Sequence, residues 1–283
     1  MNLQLIKKLC LIKTEDLPYI IKKFLKTCGY TKVVKTSHYI IAEGDLPICL
    51  IAHIDTVFST PPAKEDFFYD SQKKILWNPS GSGFDDRAGI YIILQLLQEG
   101  YRPSLIFTDG EEKGGIGANE LTISFPNCPF ADCRALIQLD RANKNDCVFY
   151  DCDNRDFEKY ICSFGFKYSI GTFSDISIIA PSWGIAAVNL SVGYEDEHTY
   201  CERLYCNWCD STLEKVRNIL EKSESMLSYA YIERKNIKMS FAEGVDWDNH
   251  RCIICEKPIN SASDIGIRES WGQLCKECFK QYY

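Results

Sequence analysis

Apolar residues along this chain follow two alternating patterns. Short continuous apolar runs predict strands buried on both faces at Leu46–His53, Ser104–Thr108, Arg134–Asp140 and Ala186–Val192, with further strands at 32–42 and 74–77. Between them, apolar residues recur at helical spacing over 2–27 (interrupted near Pro18), 85–97, 117–121 and 211–231. Strands that alternate with helices predict an α/β fold built on a largely parallel sheet.

The chain divides into a long and a short region. Its 283 residues are enough for one large domain and one small one. After about residue 238 the composition changes, because aliphatic residues become few and the segment 246–283 is rich in cysteine. We therefore predict a domain over residues 1–238 and a small module over residues 239–283.

Composition narrows the classes of function. The formal net charge is −7, from 39 acidic against 32 basic residues, which argues against a protein devoted to binding nucleic acid. No apolar run is long enough to span a bilayer, so no membrane partner is expected. Lys7 and Lys8 interrupt the N-terminal apolar stretch, which predicts no signal peptide. We expect a cytoplasmic protein whose 15 cysteines are reduced thiols or metal ligands.

Histidines and acidic residues recur at the ends of the predicted strands and at one helix start. They are His53 and Asp55 after the first buried strand, Asp85 at the start of the helix 85–97, Glu111 and Glu112 after the second, Asp140 at the end of the third, and His198 after the fourth. Ligands of such sheets lie beyond the carboxyl ends of the strands. We therefore expect these side chains to meet at one edge of the sheet.

These residue types suit a pair of divalent metal ions. Zinc accepts imidazole nitrogen and carboxylate oxygen and keeps an open position in catalytic sites, and cobalt or manganese can use the same ligands. Residues 53 and 55 point to the same side of a strand, so Asp55 can orient the imidazole of His53. Glu111 and Glu112 are adjacent and point in different directions, so one can bind metal while the other acts as a general base.

Five motifs over about residues 40–205 carry a family resemblance. AHIDTV, GFDDRAG, DGEEKGGIGA, LDRA and EDEHTYCE, in this order, resemble the co-catalytic dizinc aminopeptidase and carboxypeptidase superfamily, especially its leucyl-aminopeptidase-like and tetrahedral-aminopeptidase-like branches. The resemblance implies a zinc-exopeptidase-like fold, with three layers and helices on both faces of a mostly parallel or mixed sheet. It also implies two catalytic metal ions. The implied roles are His53 and Asp140 for one ion, Glu112 and His198 for the other, Asp85 as the bridge with a cis peptide to Asp86, Asp55 orienting His53, and Glu111 as general base.

The activity that the resemblance implies is metal-dependent hydrolysis of a peptide or amide bond. Glu111 would deprotonate a metal-bridging water, and the resulting hydroxide would attack the carbonyl carbon. An aminopeptidase-like activity is the first expectation. A carboxypeptidase, a dipeptidase or a deacylase of an N-acyl substrate are alternatives on the same scaffold, and a catalytically inactive binding protein is the alternative outside enzymes.

The amino-end and carboxy-end alternatives differ in how the substrate is recognised. A free amine would need acidic residues, and Glu195, Asp196 and Glu197 are candidates. A free carboxylate would need an arginine, for which Arg141, Arg155 and Arg203 are candidates. Tyr194 and Tyr200 are candidates for stabilising the oxyanion. The sequence leaves the choice between the two ends open.

The C-terminal region contains two CxxC pairs. Cys252 and Cys255 are separated from Cys275 and Cys278 by 19 residues (256–274), a spacing typical of a structural zinc site. A module of this size needs such stabilisation. The segment resembles treble-clef or zinc-ribbon modules, with a helix expected at 277–283. Its basic and acidic residues offset one another, which favours recruitment of a protein partner or substrate over nucleic acid.

A further CxxC motif precedes the last helix of the predicted domain. It comprises Cys206 and Cys209, with Cys201 nearby. Redox activity or half of a metal site would both be consistent with this spacing. Because the whole chain is rich in cysteine, we interpret these residues as free thiols.

Overall fold

The structure, a computed structural model, describes residues 1–234, 252, 257, 265–269 and 272–276. The chain divides into two compact units, Met1–Glu233 and Arg234–Tyr283. The boundary predicted at residue 238 lies outside the described residues and stays a prediction.

Strands and helices alternate along the first unit. The strands are β1 (Val33–Lys35), β2 (Tyr39–Ala42), β3 (Leu46–His53), β4 (Phe68–Asp70), β5 (Ile75–Trp77), β6 (Pro103–Thr108), β7 (Ala135–Arg141), β8 (Asp146–Val148), β9 (Lys167–Ser169), β10 (Ala187–Ser191), β11 (Tyr194–Glu195) and β12 (Arg203–Tyr205). The α-helices are α1 (Leu3–Leu11), α2 (Leu17–Thr27), α3 (Phe84–Gln98), α4 (Ile116–Ser124), α5 (Arg155–Cys162), α6 (Ile176–Trp183) and α7 (Cys206–Glu221). Short 3-10 turns lie at Lys64–Asp66, Glu111–Lys113 and Ser223–Ser225.

A mixed sheet of eight strands forms the centre of this unit, in the order β1-β2-β6-β3-β7-β10-β8-β9. The four central strands, β6, β3, β7 and β10, are parallel. Outside them, β2 and β8 run antiparallel to their inner neighbours. The carboxyl ends of the four parallel strands therefore meet at one edge of the sheet.

Helices cover both faces of this sheet. Along β3, Leu50 and Ala52 belong to the core that also contains residues of α1, α2, α3 and α7, while Cys49 and Ile51 pack with residues of α4 and α6. All four side chains are fully buried. Because both faces are covered, the strand is apolar throughout and does not alternate with polar residues. The predicted three-layer α/β fold is confirmed.

A smaller antiparallel sheet lies in the same unit, in the order β11-β12-β5-β4. In its middle, Leu204 of β12 pairs with Tyr194 on one side and Leu76 on the other. The loop 196–202 connects β11 to β12. This small sheet therefore supports the loop that contains His198.

The strand predicted at 32–42 is a hairpin of β1 and β2. Between the two strands, the hydroxyl oxygen of Thr36 accepts the backbone N–H groups of His38 and Tyr39 at 3.1 and 3.0 Å. This side chain therefore organises a turn in place of a continuous strand.

The helix predicted at 211–231 has different ends, since α7 begins at Cys206 and ends at Glu221. Past its end, the Ser223 hydroxyl donates to the Leu220 carbonyl at 2.6 Å, and a 3-10 turn follows. The last carbonyls are satisfied locally in this way, so the helix stops well before residue 231. Across the described residues, none of the helices combines the length and the apolar composition needed to cross a membrane.

The second unit contains an antiparallel pair of strands, β13 (Ile265–Glu269) and β14 (Gly272–Cys275). Cys252 is buried, and its N–H donates to the carbonyl of Lys257 at 2.9 Å. Cys275 ends β14. Cys255, Cys278 and the helix predicted at 277–283 lie outside the described residues, so the four-cysteine zinc site stays a prediction.

Candidate metal centre

The side chains that we expected at the carboxyl edge of the sheet come from five separate segments. They lie at the end of β3 (His53), at the start of α3 (Asp85), in the turn after β6 (Glu111, Glu112), near the end of β7 (Asp140) and in the loop between β11 and β12 (His198). The fold therefore brings together residues that are far apart along the chain.

His53, Asp85 and Asp140 form a first group of potential metal ligands, whose ligand atoms lie within 4.8 Å of one another. Nε2 of His53 lies 2.9 Å from Oδ1 of Asp85 and 3.3 Å from Oδ1 of Asp140. All three side chains are buried. One nitrogen and two oxygen donors thus converge on one point, a set that zinc accepts.

Asp85, Glu112 and His198 form a second such group. Nε2 of His198 lies 3.1 Å from Oδ2 of Asp85 and 2.9 Å from Oε2 of Glu112. Asp85 therefore belongs to both groups and turns a different oxygen toward each histidine. A carboxylate in this arrangement can bridge two metal ions. The Asp85–Asp86 peptide bond is cis.

Glu202 holds the backbone that presents the shared carboxylate. Its Oε1 accepts the N–H of Asp85 at 2.9 Å, and its side chain is almost completely buried. The backbone carbonyl of Glu202 also accepts the Ser82 hydroxyl at 3.4 Å. Glu202 lies in the same sequence motif as His198, EDEHTYCE, but its role as a support of Asp85 was not predicted.

Asp55 lies against the other side of His53. The Nδ1 atom of His53 is 3.1 Å from the backbone carbonyl oxygen of Asp55 and 3.4 Å from its Oδ1. A proton on Nδ1 leaves Nε2, which faces the two carboxylates, free to bind a metal ion. The carboxylate of Asp55 also accepts the N–H groups of Glu111 and Glu112 at 3.1 and 3.2 Å. Asp55 thus connects the end of β3 to the turn after β6.

A buried polar network holds Asp140. Its Oδ2 accepts a hydrogen bond from Nε2 of Gln138 at 3.0 Å, and its backbone N–H donates to Oδ1 of Asn189 at 3.0 Å. The Ser174 hydroxyl lies 2.6 Å from Oε1 of Gln138 and 3.4 Å from the Asp140 carboxylate. Such surrounding hydrogen bonds fix the direction of a metal-binding carboxylate.

The two tyrosines considered for the oxyanion have different positions. The hydroxyl of Tyr194 lies 3.0 Å from the carbonyl oxygen and 3.3 Å from Oδ1 of Asp140, and its ring is buried. Tyr194 therefore supports Asp140. Tyr200 is exposed, and its ring packs at 5.7 Å, between centroids, against that of Phe58.

The electrostatics of the centre show an excess of negative charge. Burial, followed by repulsion from Asp85, raises the pKa of Glu112 to about 7. Burial raises the pKa of Asp140 to about 6 against the attraction of His53. A hydrogen bond to Asp85 raises the pKa of His198 to about 9. Oε1 of Glu112 is buried and has no hydrogen-bond partner. The donors and the uncompensated charge fit a pair of divalent cations.

Glu111 differs from its neighbour because it belongs to neither group of potential ligands. Its backbone is fixed by Asp55, and its side chain is half-buried at the edge of the centre. Burial, with repulsion from Asp140, raises the pKa of Glu111 to about 9. Without metal ions this carboxyl group keeps its proton at neutral pH. The positive charge of bound divalent cations would lower the pKa of Glu111 and allow the carboxylate to act as a proton-transfer group.

Four of the six charged residues considered for substrate recognition form ion pairs. Nη2 of Arg203 lies 3.2 Å from Oε2 of Glu195 and 3.0 Å from Oδ2 of Asp196. Arg155 pairs with Asp153 at 2.9 Å and with Glu158 at 3.0 Å. Among the described residues, Arg141 and Glu197 enter no such ion pair.

The Cys201, Cys206 and Cys209 thiols do not form a group of metal ligands with other described residues. Cys206 and Cys209 are buried within α7, whereas Cys201 is exposed in the loop before β12. They are free thiols in this structure.

Glu202 makes the stability of the metal-free protein depend on pH. Burial raises its pKa from 4.5 to about 8. Between these values the folded protein binds a proton that the unfolded chain has lost, so the free energy of unfolding falls as the pH rises. In the wild type, this lowers the free energy of unfolding by on the order of 3 kcal/mol between pH 5 and 8. Glu202→Gln keeps the acceptor for the Asp85 N–H but cannot titrate, so we expect it to lack this decrease.

Urea unfolding of metal-free protein at both pH values measures this effect. The matched control is Glu224→Gln, which changes an exposed residue and should show the same change in the free energy of unfolding with pH as the wild type. If Glu202→Gln has the same pH dependence of the free energy of unfolding as the wild type, Glu202 is ionised in the folded state.

Comparisons with known proteins identify the fold. No family model matches the sequence, and no curated protein matches it. Solved structures do match. A tripeptidase from Staphylococcus aureus superposes with a TM-score of 0.64 at 15% identity, over 79% of this chain and 98% of that one. The chain has a zinc-exopeptidase-like fold.

Two further peptidases share this zinc-exopeptidase-like fold. Aminopeptidase PepT from Bacillus cereus gives a TM-score of 0.61 at 15% identity, over 77% of this chain and 97% of that one. An aminopeptidase from the archaeon Desulfurococcus kamchatkensis gives a TM-score of 0.60 at 13% identity, over 77% of this chain and 94% of that one. At such identities the likeness establishes the architecture.

Proposed function

We propose that this chain is a metal-dependent hydrolase of peptide bonds, with an aminopeptidase-like centre that holds two divalent ions. The observation that carries the proposal is Asp85, whose two oxygens lie at 2.9 and 3.1 Å from the imidazoles of two different histidines. His53 and Asp140 would complete one metal site, and Glu112 and His198 the other. The peptidase activities of the structural neighbours support the choice of a peptide bond over other substrates.

The residues around this centre have distinct tasks. Two divalent ions bound there would polarise the scissile carbonyl and acidify the attacking water. Glu111, outside both ligand groups, would take a proton from the attacking water as its oxygen bonds to the carbonyl carbon, and would return that proton to the leaving nitrogen as the C–N bond breaks. Asp55 keeps the Nδ1 proton on His53 and fixes the backbone of Glu111. Gln138 and Asn189 hold Asp140 in its orientation.

The test combines metal content with hydrolysis. The full chain is stripped with a chelator and reloaded separately with zinc, cobalt and manganese. Metal is counted by mass spectrometry, and L-leucyl-L-leucine, L-leucyl-p-nitroanilide and N-acetyl-L-leucine are offered as substrates. We expect activity on the peptide or anilide to disappear with the metal and to return with it. Protein that binds the ions and hydrolyses none of the three would be the binding protein of the alternative hypothesis.

The C-terminal unit is proposed to hold one structural zinc through Cys252, Cys255, Cys275 and Cys278, and to recruit a protein partner or substrate. The burial of Cys252 and the strand pair that ends at Cys275 support a compact module. A cytoplasmic location is part of the proposal, because thiol ligands of this kind persist under reducing conditions.

Replacing one proposed zinc ligand should separate the two metal sites. We expect Cys252→Ser to lose about one zinc per chain while hydrolysis of small substrates stays near the wild-type rate. Metal content and the rate of leucyl-leucine hydrolysis are measured together. Cys201→Ser, in an exposed loop, is the control and should lose no zinc. Loss of all metal in Cys252→Ser would show that the two sites depend on each other.

A further inference from the structure

Arg141 is a cation without an anion at the edge of an acidic centre. Its Nη2 donates to the carbonyl of Ile170 at 3.4 Å, and its Nε is buried with no hydrogen-bond partner. In the described part of the chain, no carboxylate lies within ion-pair distance of it. A buried N–H group left without an acceptor is unfavourable. The two other arginines considered for substrate recognition already have carboxylate partners.

The segment 170–175 places Arg141 beside the proposed metal centre. Arg141 directly follows Asp140 on β7 and contacts the beginning of this segment at Ile170. In the middle of the segment, the Ser174 hydroxyl lies 3.4 Å from the Asp140 carboxylate. At its end, Asp175 pairs with the hydroxyl of Thr108, the last residue of β6. The segment thus extends from Arg141 to the strand that precedes Glu111 and Glu112.

Exposed apolar side chains lie along the same path. Ile170 is 43% exposed, Phe173 41% and Ile116 39%. The ring of Phe173 lies over Gly115, where an added Cβ would be 2.9 Å from its Cζ atom, and Gly115 is the N-cap of α4, the helix after the Glu111–Glu112 turn. We call Ile116, Ile170 and Phe173 the apolar shelf. Arg141 contacts this shelf at Ile170. Ile116, at the other end, follows the Glu111–Glu112 turn, and its N–H donates to the carbonyl of Gly110 at 2.9 Å.

We propose that Arg141 binds the free α-carboxylate of a short peptide whose apolar side chain lies on the apolar shelf. The inference rests on the proposed function and specifies its substrate class, namely di- and tripeptides with a free C-terminus. A guanidinium group matches a carboxylate through two parallel hydrogen bonds, and the two terminal nitrogens of Arg141 supply these donors, since its Nε is buried. Because Arg141 directly follows Asp140 on β7, a di- or tripeptide is long enough to reach both the arginine and the metal centre.

The metal-loaded full chain tests this with L-leucyl-L-leucine and its C-terminal amide, L-leucyl-L-leucinamide. We expect wild-type kcat/KM to be about 10- to 100-fold higher for the free acid, the range of a charge-assisted hydrogen-bonded pair. Arg141→Met should reduce this ratio to near one, mainly by raising KM for the acid, with metal content unchanged. Arg141→Lys should restore part of the preference. Arg155→Met, which removes an exposed paired arginine, should keep the wild-type ratio.

The outcomes separate this inference from the proposed function. Wild-type protein that hydrolyses neither compound refutes the proposed function and the inference with it. Equal hydrolysis of acid and amide refutes the inference alone, as does a preference that survives in Arg141→Met. If Arg141→Met loses metal, the wild type and Arg141→Lys still test the inference. A wild-type preference for the free acid that is weaker in Arg141→Lys supports it, and an equal preference in the two proteins refutes it.

Discussion

Glu111→Gln is expected to lower turnover of a peptide substrate by roughly 100- to 10,000-fold, the range of a general base. Glutamine keeps the size of the side chain and the backbone N–H that Asp55 accepts, but it cannot take a proton from water. Since Glu111 belongs to neither group of potential ligands, the variant should bind the same amount of metal and unfold at the same temperature. Steady-state kinetics, metal analysis and thermal unfolding measure the three quantities.

Two matched variants show whether the effect is specific. Glu112→Gln changes the adjacent residue, whose Oε2 lies 2.9 Å from His198, and should lose metal as well as activity. Glu120→Gln changes an exposed residue of α4 and should alter neither. Turnover in Glu111→Gln close to the wild-type value would remove Glu111 from the mechanism.

Asp85→Asn is the second variant with a large expected effect. The amide is isosteric, but its nitrogen cannot bind a cation, so one of the two groups of ligands loses the oxygen that Asp85 contributes to it. We expect bound metal at this centre to fall from about two ions to about one or less, and turnover to fall by more than about a thousandfold. Metal content after gel filtration and kcat/KM for leucyl-leucine measure the two effects.

The control for Asp85→Asn is Asp132→Asn, which breaks an ion pair with Arg134 on the surface. It should retain all bound metal and activity. Retention of two ions in Asp85→Asn would contradict a bridging role and would leave His53 and His198 in two independent sites.

Much of this architecture is predictable because its signals are local. The continuous apolar run that ends at His53 identifies a strand buried on both faces, and the acid or histidine that follows each run identifies its carboxyl end. By contrast, α5 and the strands β8 and β9 were not predicted. The two strands have three residues each, too few to show a period, and α5 buries only Phe157 and Ile161.

The residues that hydrogen-bond to the proposed metal ligands come from distant parts of the chain. The bond from Asp85 to Glu202 joins residues 117 positions apart, and no periodicity encodes it. One signal was nevertheless present in the sequence. Gln138 and Asn189 are polar residues inside otherwise apolar strands, and a buried polar side chain needs a partner. That reasoning could have identified both as neighbours of Asp140.

The two histidines of the centre differ in their contact with solvent. The side chain of His53 is completely buried at the end of β3, whereas that of His198 is 50% exposed in the loop that the small sheet supports. Water and competing ligands would therefore reach an ion held by His198 before one held by His53. If two ions bind as proposed, they should exchange at different rates, the one at His198 leaving while the one at His53 stays bound. Dilution into chelator would then pass through a species with a single ion, whose lifetime depends on the order of the loop 196–202.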